Sequence, residues 1–503
     1  MKSTTITVTH QELSPVLKIV WQDVVLSGLV IIGFMGVAYV KSVWPQSLPW
    51  LLPDYRTHVG AEYDCIARAV RAGHGFSDPF HEQTGPTAWM PPVLPYLMAG
   101  IYWLASDNTK SMTAFMVLLQ AAGTWLAGLI VLSEARRLGK IYIGIAIILG
   151  VYTANFYQLF QQTHDTGWLL IVVSLTWLLA IRSGEQSAVP SWSQAITWGA
   201  WGGLATLSSP VLGMVWVGLT CFGATQFLSV RCCLCKHLTL PFRAMREILG
   251  RSSDSQGSVN LARCETMRVA KPGLTTLDTS QATSFTGERL FRKNFWPRLV
   301  FPLLIWALTI APWTIRNRVQ LGRWIPIKSN GMYELWQSQC LDNDGILDYE
   351  VMSRHPWSSI GEQRQQYRQA GEIAFIEEKG ALAKQAILAR PLDFLNRMAN
   401  RAIAAFVYYT SGQLIEEYFA DGWPILWARV VHPWPLIAIG CIMIFGAMVK
   451  THHVAITLVI FALGLGPYVL ISYYDRYAAM LVGIKCLLVL YGCDAVFCKR
   501  ETG

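Results

Sequence analysis

The chain contains few charged residues. They make up 15% of its 503 positions, whereas hydrophobic residues make up 53%, and the mean hydropathy is +0.34. An average soluble domain carries about 25% charged residues. The composition therefore excludes an ordinary soluble protein of this length and predicts an all-α membrane protein with many spans.

Other familiar signals are also missing. The first apolar run has no small-residue cleavage site after it, so the N-terminus does not read as a signal peptide. No zinc-finger spacing and no basic and aromatic array indicates nucleic-acid binding, although the net charge is +9. The basic residues instead gather in a few loops, a pattern that is typical of membrane topology.

The eleven cysteines include no repeated CxxC pair. Cys232, Cys233 and Cys235 stand beside Lys236 and His237, which leaves a metal cluster open as an alternative. We expect instead that these residues are reduced thiols in a cytoplasmic loop.

Apolar runs predict about ten transmembrane helices. They lie near 24–43, 111–132, 141–158, 166–181, 193–207, 211–228, 296–315, 427–449, 454–473 and 478–497. One further stretch, GPTAWMPPVLPYLMAGIYWLAS at Gly85–Ser106, has an apolar core of only fifteen residues, from Pro91 to Ala105. A bilayer crossing needs roughly 20 residues, so this stretch is too short.

The charge distribution indicates where this short stretch lies. If it crossed the membrane, the 229–295 loop would face outward, yet that loop carries eleven basic residues against five acids. Basic segments next to membrane spans favour the cytoplasm. We therefore expect Gly85–Ser106 to lie on the outer interface.

This topology predicts the organisation of the whole chain. It comprises a cytoplasmic N-terminus at 1–23, an N-terminal transmembrane module at 24–228 with an outer loop at 44–110, a basic cytoplasmic loop at 229–295, a transmembrane helix at 296–315, an outer loop with amphipathic helices at 316–426, and C-terminal transmembrane helices at 427–503.

The first outer loop contains a predicted helix that begins at Glu62 and is followed by two glycines, which favour a helix end. Asp64 has Arg68 four residues later, a spacing that pairs the two charges on a helix. Glu62 has no basic residue three or four positions on. It is therefore a candidate general base, with Asp64 as a rival; the alternative is a solvated acid on an interfacial helix.

Polar residues also stand where a predicted span reaches the outer side. His164 and Asp165 in QQTHDTGW lie near the first outer loop in this topology. They are candidates for acceptor contacts or for ligands of a divalent metal. The alternative is an ordinary polar boundary at a span end.

Basic residues on the outer side run against the usual bias. Arg316 and Lys328 follow the 296–315 span, and Arg476 and Tyr477 lie between the last two spans. A lipid phosphate is a natural partner, because guanidinium binds it with two hydrogen bonds. Headgroup anchoring or an Asp475–Arg476 pair is the alternative.

Several motifs in order resemble a known family. They are YDCIARAVRAGHGFSDPF, GPTAWMPPVLPYLMAGIY, HDTGWLL, APWTIRNRVQLGRWIPIKSNG, YRQAGEIAFIEEKGALAKQAILARPLDFL and YYDRYA. Over most of the chain except 229–295, the sequence resembles the bacterial relatives of protein O-mannosyltransferases and aminoarabinose transferases. The resemblance implies a C-type glycosyltransferase (GT-C) bundle of about ten transmembrane helices, with juxtamembrane helices in the first outer loop.

The resemblance also implies a reaction. Family members move a sugar from a polyprenyl phosphate to an acceptor on the outer, periplasmic face of the inner membrane, using an acid of the first outer loop. The family's aspartate position falls on Val59, which makes Glu62, one helical turn later, the expected substitute. Asp54 and Asp64 remain alternatives.

The implied roles can be stated residue by residue. Glu62 deprotonates the acceptor, while Arg476, Tyr477 and Arg316, with Lys328 as a further candidate, hold the phosphate. The partners are then a lipid-linked sugar, membrane lipids, and a glycan, lipid or protein acceptor. A transporter or flippase for the lipid-linked sugar, or an assembly scaffold, is the alternative.

The topology is tested with epitope tags inserted singly into the three long loops. We expect antibodies to reach tags in 44–110 and 316–426 from outside intact spheroplasts, and a tag in 229–295 only after permeabilisation, because basic loops stay in the cytoplasm. If the tags in 44–110 and 316–426 were reached from different sides, the proposed outer site would be contradicted.

Overall fold

The computed structural model describes residues 20–43, 60–105, 109–161, 164–185, 191–229, 282–341, 344–347, 349–358, 361–410, 423–445 and 451–497. Within these ranges the protein is helical, with no strand and two isolated β-bridges. Asp54, Val59 and the three neighbouring cysteines Cys232, Cys233 and Cys235 lie outside the described residues.

The first half of the chain forms eight helices in the described ranges. They are α1 (Trp21–Val43), α2 (Glu62–Arg71), α3 (Val93–Ala105), α4 (Thr109–Arg137), α5 (Ile141–Ala154), α6 (Thr166–Glu185), α7 (Trp192–Ser208) and α8 (Pro210–Ser229), with a π-helical turn at Tyr157–Gln161.

The second half continues with α9 (Ala282–Leu321), α10 (Gly331–Trp336), α11 (Tyr349–Ser353), α12 (Glu362–Ala370), α13 (Glu372–Ala389), α14 (Pro391–Phe406), α15 (Trp423–Val431), α16 (Trp434–Phe445), α17 (Thr451–Leu470) and α18 (Val482–Phe497). A π-helical turn at Gln337–Leu341 follows α10, and a 3₁₀ turn at Asp475–Leu481 precedes α18.

Five helical segments in the described ranges are long and apolar enough to cross a membrane. They are Thr109–Arg137, Thr166–Ser183, Ile425–Phe445, His452–Leu470 and Asp475–Phe497. Shorter apolar helices are Trp21–Val37, Val93–Ala105, Ile141–Ala154 and Pro210–Gly223. The prediction of an all-α membrane protein is thus confirmed, whereas the number of spans and their orientation stay predictions.

Two compact units divide the chain. One comprises Met1–Leu219 and Pro302–Gly503, and the other comprises Thr220–Phe301. The described part of the second unit is the C-terminal end of α8 and the N-terminal part of α9. All residues of the candidate site described below belong to the first unit.

Some helix bounds differ from the predicted spans. Helix α9 extends beyond 296–315 on both sides. The predicted span 427–449 contains two helices, α15 and α16, separated at His432 and Pro433. Proline has no amide hydrogen and disfavours helical geometry in the preceding residue, which explains the break.

Helix α2 follows from its local sequence. Acids occupy its first turn and Arg68 and Arg71 its last, an order that complements the helix dipole. Gly73 and Gly75, with φ of 86° and 75°, then adopt the left-handed conformation that ends the helix. Ile66 and Ala67 are fully buried, and α2 packs against α3, so the helix places its first residue, Glu62, on a rigid support.

Helices α4 and α6 approach each other through glycine. A Cβ on Gly123 would lie 2.4 Å from the Gly167 carbonyl oxygen, and one on Gly167 would lie 2.5 Å from the Gln120 amide nitrogen. Small residues allow such backbone contact between membrane helices. This packing fixes the N-terminal end of α6, where Asp165 lies, and α6 in turn packs against the 475–481 turn.

Candidate functional site

Glu62 lies at the start of α2 with only 7% of its surface exposed. Burial raises the pKa of its carboxyl to about 7, and the attraction of Arg476 and Lys328 offsets only part of this effect. Its Oε1 lies 3.8 Å from Nε2 of His355, too far for a hydrogen bond. No side chain of the described residues donates a hydrogen bond to this carboxyl, which leaves it free to accept a proton.

His355 is the neighbour of Glu62 that the sequence analysis missed. The amide of Trp357 donates a hydrogen bond to His355 Nδ1 at 3.2 Å, which assigns the imidazole proton to Nε2. Burial, together with repulsion from Arg476 and Lys328, lowers the pKa of His355 to about 3. The imidazole is therefore neutral near pH 7, and its contact with Glu62 is not an ion pair at that pH.

His164 and Asp165 join the same region from the start of α6. His164 Nδ1 lies 2.6 Å from Asp165 Oδ1, and the Tyr63 hydroxyl donates to Asp165 Oδ2 at 3.0 Å. Burial alone would raise the pKa of Asp165, but His164, Arg476 and Tyr63 together hold it below its usual range. Asp165 is therefore an anion whose two oxygens already have partners.

Arg476 lies in the 475–481 turn, half-buried, with its guanidinium near the rings of Tyr474 and Tyr477. Asp165 and Glu62 attract it electrostatically. Among the residues that the structure describes, however, no side chain or carbonyl accepts a hydrogen bond from the guanidinium. Its planar set of donors is thus available to an anionic ligand.

Glu334, on α10, organises the adjoining polar groups. Its carboxylate accepts hydrogen bonds from Tyr477 at 3.2 Å, from Ser472 at 2.9 Å and from Asn330 at 3.3 Å. Lys328 Nζ lies 3.9 Å from it. Glu334 therefore positions Tyr477 and Lys328 beside Arg476. No local pattern indicates this role, because Tyr477 and Ser472 lie far from Glu334 in the chain.

Aromatic rings cover one side of Glu62. Trp89, Tyr333 and His355 lie within 5.1–5.9 Å of one another by ring centroids. The indole N–H of Trp89 and the hydroxyl of Tyr333 are buried and have no hydrogen-bond partner in the described part of the chain. Buried donors without an acceptor are uncommon in folded proteins, and a ligand with hydroxyl groups could accept hydrogen bonds from them.

Two charged residues, Glu372 and Arg316, form hydrogen bonds with the segment that precedes Trp89. The Glu372 carboxylate accepts hydrogen bonds from the Thr87 hydroxyl, from the Ala88 amide at 2.8 Å and from the Tyr367 hydroxyl at 2.7 Å. Arg316 donates to the Thr87 carbonyl at 2.6 Å and to the Phe76 carbonyl. These contacts hold the backbone at Phe76, Thr87 and Ala88 against α9 and α13.

The structure brings together most, but not all, of the predicted site residues. Those that meet around one region are Glu62, His164, Asp165, Lys328, Arg476 and Tyr477. Arg316 instead donates hydrogen bonds to the backbone carbonyls of Thr87 and Phe76. Asp64 binds Arg68 at 2.8 Å and accepts from Tyr102, so it belongs to a separate ion pair.

A divalent metal has little support from the donor set. Among the described residues, no group of three or more His, Cys, Asp or Glu side chains is close enough to hold a metal ion. His164 and Asp165 do meet, but the two Asp165 oxygens already accept from His164 and Tyr63. The described side chains of this region therefore do not fit a divalent metal.

Comparisons with known proteins add no family to this description. No family model, no curated protein and no solved structure matches the chain. The described residues define an all-α membrane protein that carries a cluster of charged and aromatic side chains contributed by α2, α6, α10 and the 475–481 turn.

The Glu372 contacts are tested by Glu372→Ala, with Glu377→Ala on the same helix as the control. The first change leaves several buried donors without their charged acceptor and should cost about 3 kcal/mol. Glu377 is exposed and pairs only with the exposed Arg323, so its loss should cost less than about 1 kcal/mol. Thermal unfolding in detergent measures both; equal melting temperatures for the two variants would contradict the role of Glu372.

Proposed function

We propose that the protein is a membrane glycosyltransferase that transfers a sugar from a polyprenyl phosphate to an acceptor hydroxyl. The observation that carries the proposal is the pairing of chemical types. A buried carboxyl with a pKa of about 7, to which no side chain of the described residues donates, lies near the Arg476 guanidinium, whose donors have no acceptor among those same residues. Sugar transfer from a lipid phosphate needs one base and one anion-binding group.

The reaction assigns Glu62 as the base. Its carboxylate takes the proton of the acceptor hydroxyl as the hydroxyl oxygen attacks the anomeric carbon. A base with a pKa near the working pH is well matched to this role, because it is deprotonated often enough and still accepts a proton readily. Glu334 and Asp165 are less suited, since their oxygens already accept hydrogen bonds.

Arg476 stabilises the leaving phosphate. The bond between the anomeric carbon and the phosphate oxygen breaks, and its electron pair remains on that oxygen. A guanidinium forms two parallel hydrogen bonds to phosphate, and Lys328 and Tyr477 lie beside it to supply further charge and a hydroxyl. Asp165 and His164 position Arg476 and Tyr63 from the α6 side.

A single displacement with inversion suits this arrangement, because it needs one base and no enzyme nucleophile. The neutral His355, together with the buried Trp89 and Tyr333 donors that have no acceptor in the described residues, supports the binding of a polyhydroxylated substrate next to Glu62. We further propose a GT-C-type bundle of about ten transmembrane helices in the inner membrane, with the site on the periplasmic side. The acceptor is a glycan, a lipid or a protein.

Purified protein distinguishes transfer from transport. With a labelled lipid-linked sugar, the enzyme should release polyprenyl phosphate. Movement of the intact lipid across proteoliposomes without cleavage would instead favour a transporter or flippase, a class in which ionisable residues near the membrane centre commonly bind the cargo.

The base is tested by the pH dependence of transfer. Only the carboxylate form accepts a proton, so kcat/KM should fall about tenfold for each pH unit below the pKa of about 7 and level off above it. Glu62→Gln should lower transfer by roughly 10²- to 10⁴-fold above the pKa of Glu62, and it should abolish this pH dependence, because the variant has no carboxyl to titrate. Glu377→Gln, an exposed acid on α13, serves as the control, and full transfer by Glu62→Gln would rule out this base.

The phosphate site is tested by Arg476→Ala. Removing hydrogen bonds to a charged phosphate should weaken donor binding on the order of 10- to 100-fold, and Arg476→Lys should recover only part because it lacks the planar donor pair. Arg323→Ala removes an exposed arginine and should leave donor affinity unchanged. Unaltered donor affinity in Arg476→Ala would move the phosphate site elsewhere.

A further inference from the structure

Lys485 is a buried cation within a candidate membrane span. It lies on α18, is 6% exposed, and belongs to the segment Asp475–Phe497. In the part of the chain that the structure describes, its ammonium has no hydrogen-bond or ion-pair partner. An ionisable residue at such a position is costly and usually serves a function.

A charged residue near the C-terminal end of the same helix, in contrast, has a partner of opposite charge. Asp494, also buried, forms an ion pair with Lys140 at 2.5 Å. The carboxylate that attracts Lys485 at longer range is that of Asp475. That carboxylate is already occupied, since it accepts from Gln158 at 2.7 Å, from Tyr409 at 3.1 Å and from the Arg476 amide at 2.7 Å. The charge of Lys485 is therefore left without a close anion.

Lys485 lines a narrow cleft between helices. The cleft is bordered by the C-terminal end of α5, by Tyr409 after α14, and by α15 and α16. Besides Lys485, polar groups come from Asn155, His432 and the Tyr409 hydroxyl, and the remaining lining residues are apolar. Asn155 uses one amide hydrogen on the Val151 carbonyl at 2.8 Å, which leaves its second amide hydrogen for a ligand.

The chemistry of this cleft selects its occupant. A cation and an amide N–H attract an anionic oxygen, and an apolar lining between membrane helices favours a ligand with a hydrocarbon tail. His432 donates its Nε2 hydrogen to the Ala404 carbonyl at 2.9 Å, so this hydrogen is not available to a ligand. The small space suits a single phosphate oxygen. A lipid phosphate combines these properties.

We propose that the cleft beside Lys485 is a second binding site, which holds the phosphate group of a membrane lipid through the Lys485 ammonium and the Asn155 amide. This site does not depend on the function proposed above, because none of its lining residues belongs to the Glu62 and Arg476 cluster. An isoprenoid phosphate and a glycerophospholipid share the required chemistry.

Native mass spectrometry of the purified full-length protein counts the bound lipids. With undecaprenyl phosphate, wild type should bind two molecules, Lys485→Met one, and Lys485→Met combined with Arg476→Ala none. Phosphatidylglycerol and inorganic phosphate, titrated separately, identify the source of the phosphate. Lys485→Met should lose affinity at the second site on the order of tenfold or more, and Asn155→Leu should lose part of it.

Stability provides a second readout. Without added lipid, Lys485→Met should melt at or above the wild-type temperature, because an unpaired buried ammonium opposes folding in the membrane. Lys384→Met, which changes an exposed lysine on α13, is the matched control. Unchanged lipid stoichiometry in Lys485→Met, or a lowered melting temperature such as the loss of an internal ion pair causes, would overturn the proposal. Failure of Arg476→Ala alone to lose a lipid would instead count against the glycosyltransferase site.

Discussion

The candidate site depends on the compensation of charges in a region with little water. Burying an ion costs several kcal/mol unless an opposite charge or a set of hydrogen bonds repays the lost hydration. Around Glu62 the protein meets this cost unevenly. Asp165 and Glu334 accept hydrogen bonds from neighbouring side chains, whereas no side chain of the described residues donates to Glu62, which holds its proton up to a pH of about 7. Because Glu62 has fewer hydrogen-bond donors than Asp165 and Glu334, it is the carboxyl of this cluster best suited to accept and release a proton.

The cations show the same division. Arg316 donates hydrogen bonds to backbone carbonyls and lies over the rings of Phe76 and Trp313, so it holds a loop in place. Arg476 is attracted by carboxylates but has no acceptor in the described residues, so its donors point to a ligand. The sequence predicts both arginines on the same side of the membrane, yet their roles differ. Only the contacts of their guanidinium groups distinguish the two roles.

Much of the fold could be predicted from the sequence because it follows from local pattern. Apolar runs indicated the helices α4, α6 and α17, and the acid and base order with following glycines indicated α2. The Asp64–Arg68 pair was equally local and forms as the spacing indicated. The break between α15 and α16 was missed although Pro433 marks it, because the apolar pattern continues through the proline.

The sequence by itself determined the class of protein, the positions of many apolar helices and the segments between them that carry acids and arginines, since these follow from composition and neighbouring residues. The tertiary structure alone decided which charges remain unsatisfied. Tyr63 and Asp165 are 102 positions apart, and Thr87 and Glu372 are 285 apart. Hydrogen bonds between such distant residues depend on helix packing, which has no period in the sequence. His355, Glu334 and Glu372 could be recognised only once that packing was known.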